Sequence, residues 1–228
     1  MTVLPLEITV NDKILVVAPH PDDESIGCGG LLALYPNQIE IIVLTDGRLG
    51  SKDNNPDDEA IIRKEQFFKF IDRAGIKKFY WQGIRDGNLS NHTECVDNID
   101  FYKYTKIFLP GLFDDHPDHT AANYIILEVL RKKGIKPEIY QYEAHVPFRN
   151  ITHVLDISSV IEKKLSFIRC HKDQMINVKY DYLTKALNQY RACQMNIVDG
   201  YCEGYLKTAL SDISNDAMMR EKLVQKYQ

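Results

Sequence analysis

The stretch Ile14-Leu-Val-Val-Ala-Pro-His-Pro-Asp-Asp-Glu-Ser-Ile-Gly-Cys-Gly-Gly30 decides how the chain is read. Ile14 to Ala18 is a short apolar run with β-branched residues, closed by prolines, and reads as a buried strand. His20, Asp22, Asp23 and Glu24 crowd the turn behind it, where open α/β sheets bind their ligands. A helix over residues 25–34 follows, and Gly27, Gly29 and Gly30 in its first turns allow a close backbone approach to the strand or to a ligand. Taken alone, Asp22 and Asp23 could simply cap that helix, for about 1 kcal/mol. A dinucleotide fingerprint is a poor match. The spacing is G-x-G-G behind an acidic turn, not G-x-G-x-x-G directly behind the strand, and paired carboxylates repel a pyrophosphate.

The pattern recurs at Ile107-Phe-Leu-Pro-Gly-Leu-Phe-Asp-Asp-His-Pro-Asp-His119, again an apolar strand, a proline break and a His/Asp cluster. Capping does not readily explain the same device twice. Two such turns at two strand ends can meet across one crevice, and a metal site is the leading reading.

Around these turns, strands are expected at residues 40–45, 78–81, 106–109, 138–143 and 152–156. Helices are expected over the residues carrying the stripe Ala60, Phe67, Ile71 and Ala74, over 121–133, and from Ser158 to Cys170. Gly75 suits a helix C-cap. Residues 175–228 read as mainly helical, interrupted at 199–205. The alternation predicts an α/β fold with a mostly parallel sheet and helices on both faces. No linker or repeat divides the chain, so one domain over residues 1–228 is expected.

Composition narrows the function. At 44% hydrophobic and 26% charged the chain is an ordinary globular one, and a net charge of −4 offers no nucleic-acid footprint. Its five cysteines are scattered and odd in number, with no C-x-x-C pair, which suits reduced thiols rather than a disulfide framework or zinc ribbon. No secretory leader or transmembrane segment is apparent, and a cytoplasmic protein is expected. A homo-oligomer is left open.

Zinc in hydrolases is held by three protein ligands, with a fourth position for water. His20, Asp23 and one histidine of the second loop supply such a set; another divalent metal suits the same donors. Asp22 can then serve as general base. Whichever of His116 and His119 does not bind metal can stabilise the oxyanion, its tautomer fixed by Asp118.

Ala18-Pro-His-Pro-Asp-Asp-Glu24 and His116-Pro-Asp-His119 resemble the signature of the LmbE/PIG-L N-deacetylases. The likeness extends through Thr45-Asp46-Gly47, Arg63-Lys64-Glu65, Arg85-Asp86-Gly87-Asn88-Leu89 and Tyr201-Cys202-Glu203-Gly204-Tyr205. It implies a zinc-dependent enzyme of Rossmann-like fold that removes acetyl groups from N-acetylglucosaminyl compounds. It further implies His20, Asp23 and His119 as ligands, Asp22 as base and later proton donor, and His116, oriented by Asp118, as oxyanion stabiliser. Arg63 and Asp86 match positions near the sugar. The acidic Phe113-Asp114-Asp115 departs from the family pattern, and no position here matches a tyrosine that some relatives use.

Three rivals share these residues. An amidase on a larger sugar conjugate has the same machinery. Two histidines and a carboxylate also form the triad of non-haem Fe(II) oxygenases. A non-catalytic sugar-binding module would keep the donors but has no use for Asp22. Outside the two turns, His92, His145, His153 and His171 read as surface or core residues, although His145 follows a strand end and could approach the crevice.

Overall fold

The structure, a computed structural model, describes residues 2–112 and 114–210. Strand β1 (Leu4–Pro5) precedes β2 (Ile14–Ala18), which is buried along its whole length. Ile14, Val16 and Ala18 enter one apolar cluster, and Leu15 and Val17 the other. That is the two-residue alternation of a pleated strand covered on both faces. The same division runs through β3 (Ile39–Thr45), Ile41 and Val43 facing one way, Ile42 and Leu44 the other. The first cluster is closed by α1 (Asp23–Leu34), α2 (Pro56–Ala74) and α4 (Ile161–Ile168), the second by α3 (Pro117–Lys133).

With β4 (Phe79–Ile84), β5 (Lys106–Pro110), β6 (Glu138–Tyr142), β7 (His153–Asp156) and β8 (Cys202–Thr208), the strands form one sheet in the order β1-β7-β8-β6-β5-β2-β3-β4. Every pairing is parallel except the two made by β8. From β2 the chain steps outward through β3 to β4, then crosses back to place β5 on the other side of β2. The order therefore reverses between β2 and β5. Helix α1 leaves β2 toward one face and α3 leaves β5 toward the other, so their turns part and open a crevice at the strand ends.

The mostly parallel sheet and the helices on both faces are as expected, with several local differences. Helix α1 begins at Asp23, because the Asp22 carbonyl accepts from the backbone N–H groups of Ser25 and Ile26, at 3.0 and 2.9 Å. Helix α3 begins at Pro117 rather than residue 121. His116 is its N-cap, the imidazole accepting from Asp118 N at 3.2 Å, and a proline at the first helical position needs no donor there. Ser158 opens a short 3-10 turn, Ser158–Val160, ahead of α4.

The largest difference lies at 201–205. This stretch is not a break between helices; it begins β8, inserted between β6 and β7 after α5 (Tyr180–Gln194). Glu203 and Gly204 disguised it as a loop. Glu203 is tolerated inside because its carboxylate accepts from Gly30 N (2.6 Å), Leu31 N (2.9 Å), Lys164 Nζ (2.7 Å) and Tyr205 Oη (2.6 Å). The helical expectation for 211–228 lies outside the described residues. Among those described, no helix is long and apolar enough to cross a membrane.

Candidate active site

The two turns meet. His20 Nδ1, Asp23 Oδ2 and His119 Nε2 form a triangle with sides of 3.3, 3.2 and 3.3 Å. Donor atoms about 2.0–2.1 Å from a tetrahedral cation stand about 3.3–3.4 Å apart, so the triangle has the size a single small divalent ion requires. All three side chains are buried.

The remaining ring nitrogens point to the same conclusion. His20 Nε2 lies 3.2 Å from Asp86 Oδ1 and 3.3 Å from Asp118 Oδ2. A proton held there by two carboxylates leaves the Nδ1 lone pair directed into the triangle. Asp114 Oδ2 lies 3.1 Å from His119 Nδ1, off the line of a good hydrogen bond but near enough to favour the proton on that nitrogen, leaving Nε2 as donor to a cation. Burial opposes charge on His20, yet hydrogen bonds to Asp118, Asp23 and Asp86 outweigh it and hold its pKa well above the usual value. His119 behaves likewise: burial is overcome by Asp23 and Asp114, and its pKa rises to about 9. The cluster thus attracts positive charge, whether protons or a metal. Asp23 Oδ1 is buried with no hydrogen-bond partner, the kind of atom an ion satisfies.

His116 stands at the edge of this set, its ring 4.4 Å from that of His20 and edge-on to it. Burial and the nearby His20 and His119 lower its pKa to about 4, so it is neutral at pH 7. Its Nδ1 accepts from a backbone N–H, which puts the ring proton on Nε2. His116 is therefore a neutral hydrogen-bond donor. The structure places the Asp118 carboxylate on His20, and on Gly87 N (2.7 Å) and Leu89 N (3.2 Å), rather than on the His116 ring; it is the backbone of Asp118 that fixes His116.

Asp22 lines the same crevice, a cavity of about 320 Å³. Its φ of 144° is one that residues with side chains rarely adopt, typically at a cost of about 1–3 kcal/mol. Arg63 holds this conformation. One Nη2 bonds Pro21 O at 2.6 Å and lies 3.1 Å from Asp22 Oδ2, while Nη1 donates to Gly47 O at 3.1 Å. Gly47 has φ 65°, and a Cβ there would stand 2.8 Å from the Arg63 guanidinium, so the Thr-Asp-Gly turn makes room for this clamp. Arg63 is thus buried against the first loop, and Asp86 against His20; both still line the crevice where a sugar was expected. Glu65 is solvent-exposed.

One site residue escaped sequence reasoning, and a second was noted only as able to approach the crevice. Asp114 belongs to the acidic stretch noted as a departure, and its contact with His119 at 3.1 Å is made only in the folded chain. His145, read as a surface or core residue, puts Nε2 3.5 Å from Asp23 Oδ1, with Tyr180 beside it at 6.2 Å between ring centres. His171 is a buried partner of Glu24, at 3.4 Å, away from the cation donors. Burial raises the Cys28 thiol, as an unreactive cysteine requires.

A Rossmann-like switch-point crevice that brings two imidazoles and a carboxylate together, with the Arg63-anchored carboxylate of Asp22 and a neutral imidazole donor beside them, is an arrangement suited to metal-dependent hydrolysis. Comparison with known proteins gives the family. The PIG-L profile, GlcNAc-PI de-N-acetylase, matches residues 15–130, and the chain belongs to that family. It is 28% identical over 192 residues to the diacetylchitobiose deacetylase of Thermococcus kodakarensis, covering 71% of this chain and 70% of that one. It is 28% identical over 188 residues to a probable N-acetyl-alpha-D-glucosaminyl L-malate deacetylase 2 of Bacillus subtilis, covering 72% and 84%. The crystal structure of a conserved protein from Thermus thermophilus superposes with a TM-score of 0.68 at 26% identity, covering 86% of this chain and 94% of that one. Membership of a deacetylase family favours the hydrolase over the oxygenase that the same three donors could serve.

Proposed function

We propose that this chain removes the N-acetyl group of an N-acetylated amino sugar, using a zinc ion held by His20, Asp23 and His119. The observation behind this is the 3.2–3.3 Å triangle of their donor atoms. A zinc ion held by these residues would supply a water of lowered pKa and a Lewis acid for the amide carbonyl. Asp22 removes the proton of the attacking water. Arg63 anchors its Oδ2, leaving the other oxygen to take that proton and pass it to the departing nitrogen. His116 Nε2–H donates to the oxygen of the tetrahedral intermediate as charge develops there. Asp118 and Asp86 keep His20 in the tautomer that presents Nδ1, and Asp114 does the same for His119 Nε2. The crevice rim formed by Asp22, Arg63, Asp86 and Gln174 offers polar groups to the sugar. The deacetylases named above support this substrate class. We assign the activity to one domain spanning the chain, acting in the cytoplasm, which suits its five free cysteines.

The test is metal analysis of the purified protein together with acetate release from a panel of N-acetylated amino sugars. Asp22→Asn is expected to retain one zinc per chain and lose about 10²–10⁴-fold in kcat. Full activity in that variant rejects Asp22 as the base.

A further inference from the structure

Behind His145 and Tyr180 lies a second cavity, of about 440 Å³, that shares these two residues with the catalytic crevice. It sits against α1 just beyond the donor Asp23, with Ile26 and Gly27 in its wall. Val178, Leu183 and Leu187 supply the opposite wall and lip, and Leu183 is an apolar side chain 58% exposed. The charged residues that reach the cavity are engaged elsewhere. Glu203 accepts four hydrogen bonds, Lys164 is paired with it, and Glu143 is paired with Arg191 and accepts from Phe148 N. What remains for a ligand is mainly the apolar surface of Ile26, Val178, Leu183 and Leu187, with Thr184 and the unpartnered Oδ1 of Asn188 as its polar points, and the volume falls in the range of small-molecule sites.

The proximity to Asp23 identifies the part of a substrate that belongs there. The reacting carbonyl must lie beside the metal donors, and the acyl substituent starts one bond away from it. The sugar has the polar crevice on the other side of His145. Resting on the amide hydrolysis proposed above, we infer that the enzyme accepts N-acyl amino sugars with chains longer than acetyl, the alkyl tail running past His145 and Tyr180 into this cavity. The reaction is otherwise unchanged. Water gives its hydroxyl to the acyl carbon and its proton to nitrogen, the C–N bond breaks, and a longer carboxylic acid leaves with the free amino sugar.

The experiment is amine release from N-acetyl-, N-butyryl- and N-hexanoylglucosamine, with octyl N-acetylglucosaminide as a substrate whose chain lies on the glycosidic side. Burial of each methylene is worth about fourfold in kcat/KM (about 0.8 kcal/mol), so hexanoyl is expected to exceed acetyl on the order of 10²-fold. Leu187→Trp, and Leu183→Trp at the exposed lip, should keep acetyl turnover and remove most of that gain. A flat or falling series overturns the inference while leaving the deacetylase reading intact. A gain confined to the octyl glycoside also overturns it, by assigning the cavity to the aglycone. Failure to cleave any member, acetyl included, overturns the hydrolysis reading and this inference with it.

Discussion

Replacing Asp118 with Asn separates two roles that the chain's chemistry allows for this residue. In the structure its carboxylate accepts from Gly87 N, Leu89 N and His20 Nε2 at 2.7, 3.2 and 3.3 Å, and it is almost fully buried. An amide of the same shape has one oxygen, so in either orientation an NH₂ faces a backbone or imidazole N–H. A buried donor left opposite a donor costs about 1–3 kcal/mol. That corresponds to a fall in Tm of roughly 2–4 °C per kcal/mol for a domain of this size. The larger effect falls on His20, which loses one of the two carboxylates that hold its Nε2 proton. Loss of such a partner typically weakens metal affinity about 10–100-fold. Zinc affinity measured by competition with a chromophoric chelator should therefore drop by that factor. The value of kcat at saturating zinc should stay within a few fold, because His116 keeps its hydrogen bond from the Asp118 backbone. If Asp118→Asn instead binds zinc normally and loses about 10²-fold in kcat, its carboxylate acts on His116, and the placement on His20 is not the functional one.

His116→Ala should lower kcat about 10²–10³-fold with zinc stoichiometry unchanged, as removal of an oxyanion donor does; parallel loss of metal would make it a ligand. Zinc affinity should strengthen as pH rises toward about 9, since His20 and His119, whose pKa values are raised, must surrender protons to bind it. Chelator competition from pH 6 to 9 reads this directly, and a flat profile refutes it. At the far end of β2, Asp12 accepts from Lys106 Nζ at 2.8 Å and from Thr105 and Thr9. Burial resists its charge, but these bonds outweigh it and hold the carboxyl well below the usual carboxylate range. A depressed folded pKa contributes stability that is present above the unfolded value of about 3.9 and lost as pH falls through the folded one. Denaturant melts of Asp12→Asn between pH 7 and 3 should show a smaller acid loss than the parent.

What was legible in the sequence was whatever a local pattern encodes. Ile14–Ala18 and Lys106–Pro110 are apolar runs with prolines at their ends, and Gly75 and Gly134 close α2 and α3 in the left-handed conformation that glycine suits, with φ of 72° and 66°. Both His/Asp turns could be read from residue type alone. What could not be read depends on partners distant in sequence. Glu203 looks like a surface residue until Gly30, Leu31 and Lys164 are brought to it from more than thirty positions away. Asp118 stands two residues from His116, and only the fold delivers it to His20, 98 positions earlier. His116 carried two signals at once, cluster member and helix cap, and the first concealed the second. His145 follows a different strand end from either motif, a position that marked it as able to approach the crevice, but only the fold brings it to Asp23.

The place of β8 has a consequence for how the molecule is assembled. Every proposed metal donor has been synthesised by residue 119, and the strands that present them, β2 and β5, are neighbours that need nothing later to pair. The edge made of β1 and β7 cannot join them, because the strand that bridges it to β6 spans Cys202–Thr208. A nascent chain therefore holds its first strand in waiting until almost the last of the described residues has been made. A deletion of β8 would set two strands adrift while leaving the pairing around the donors untouched.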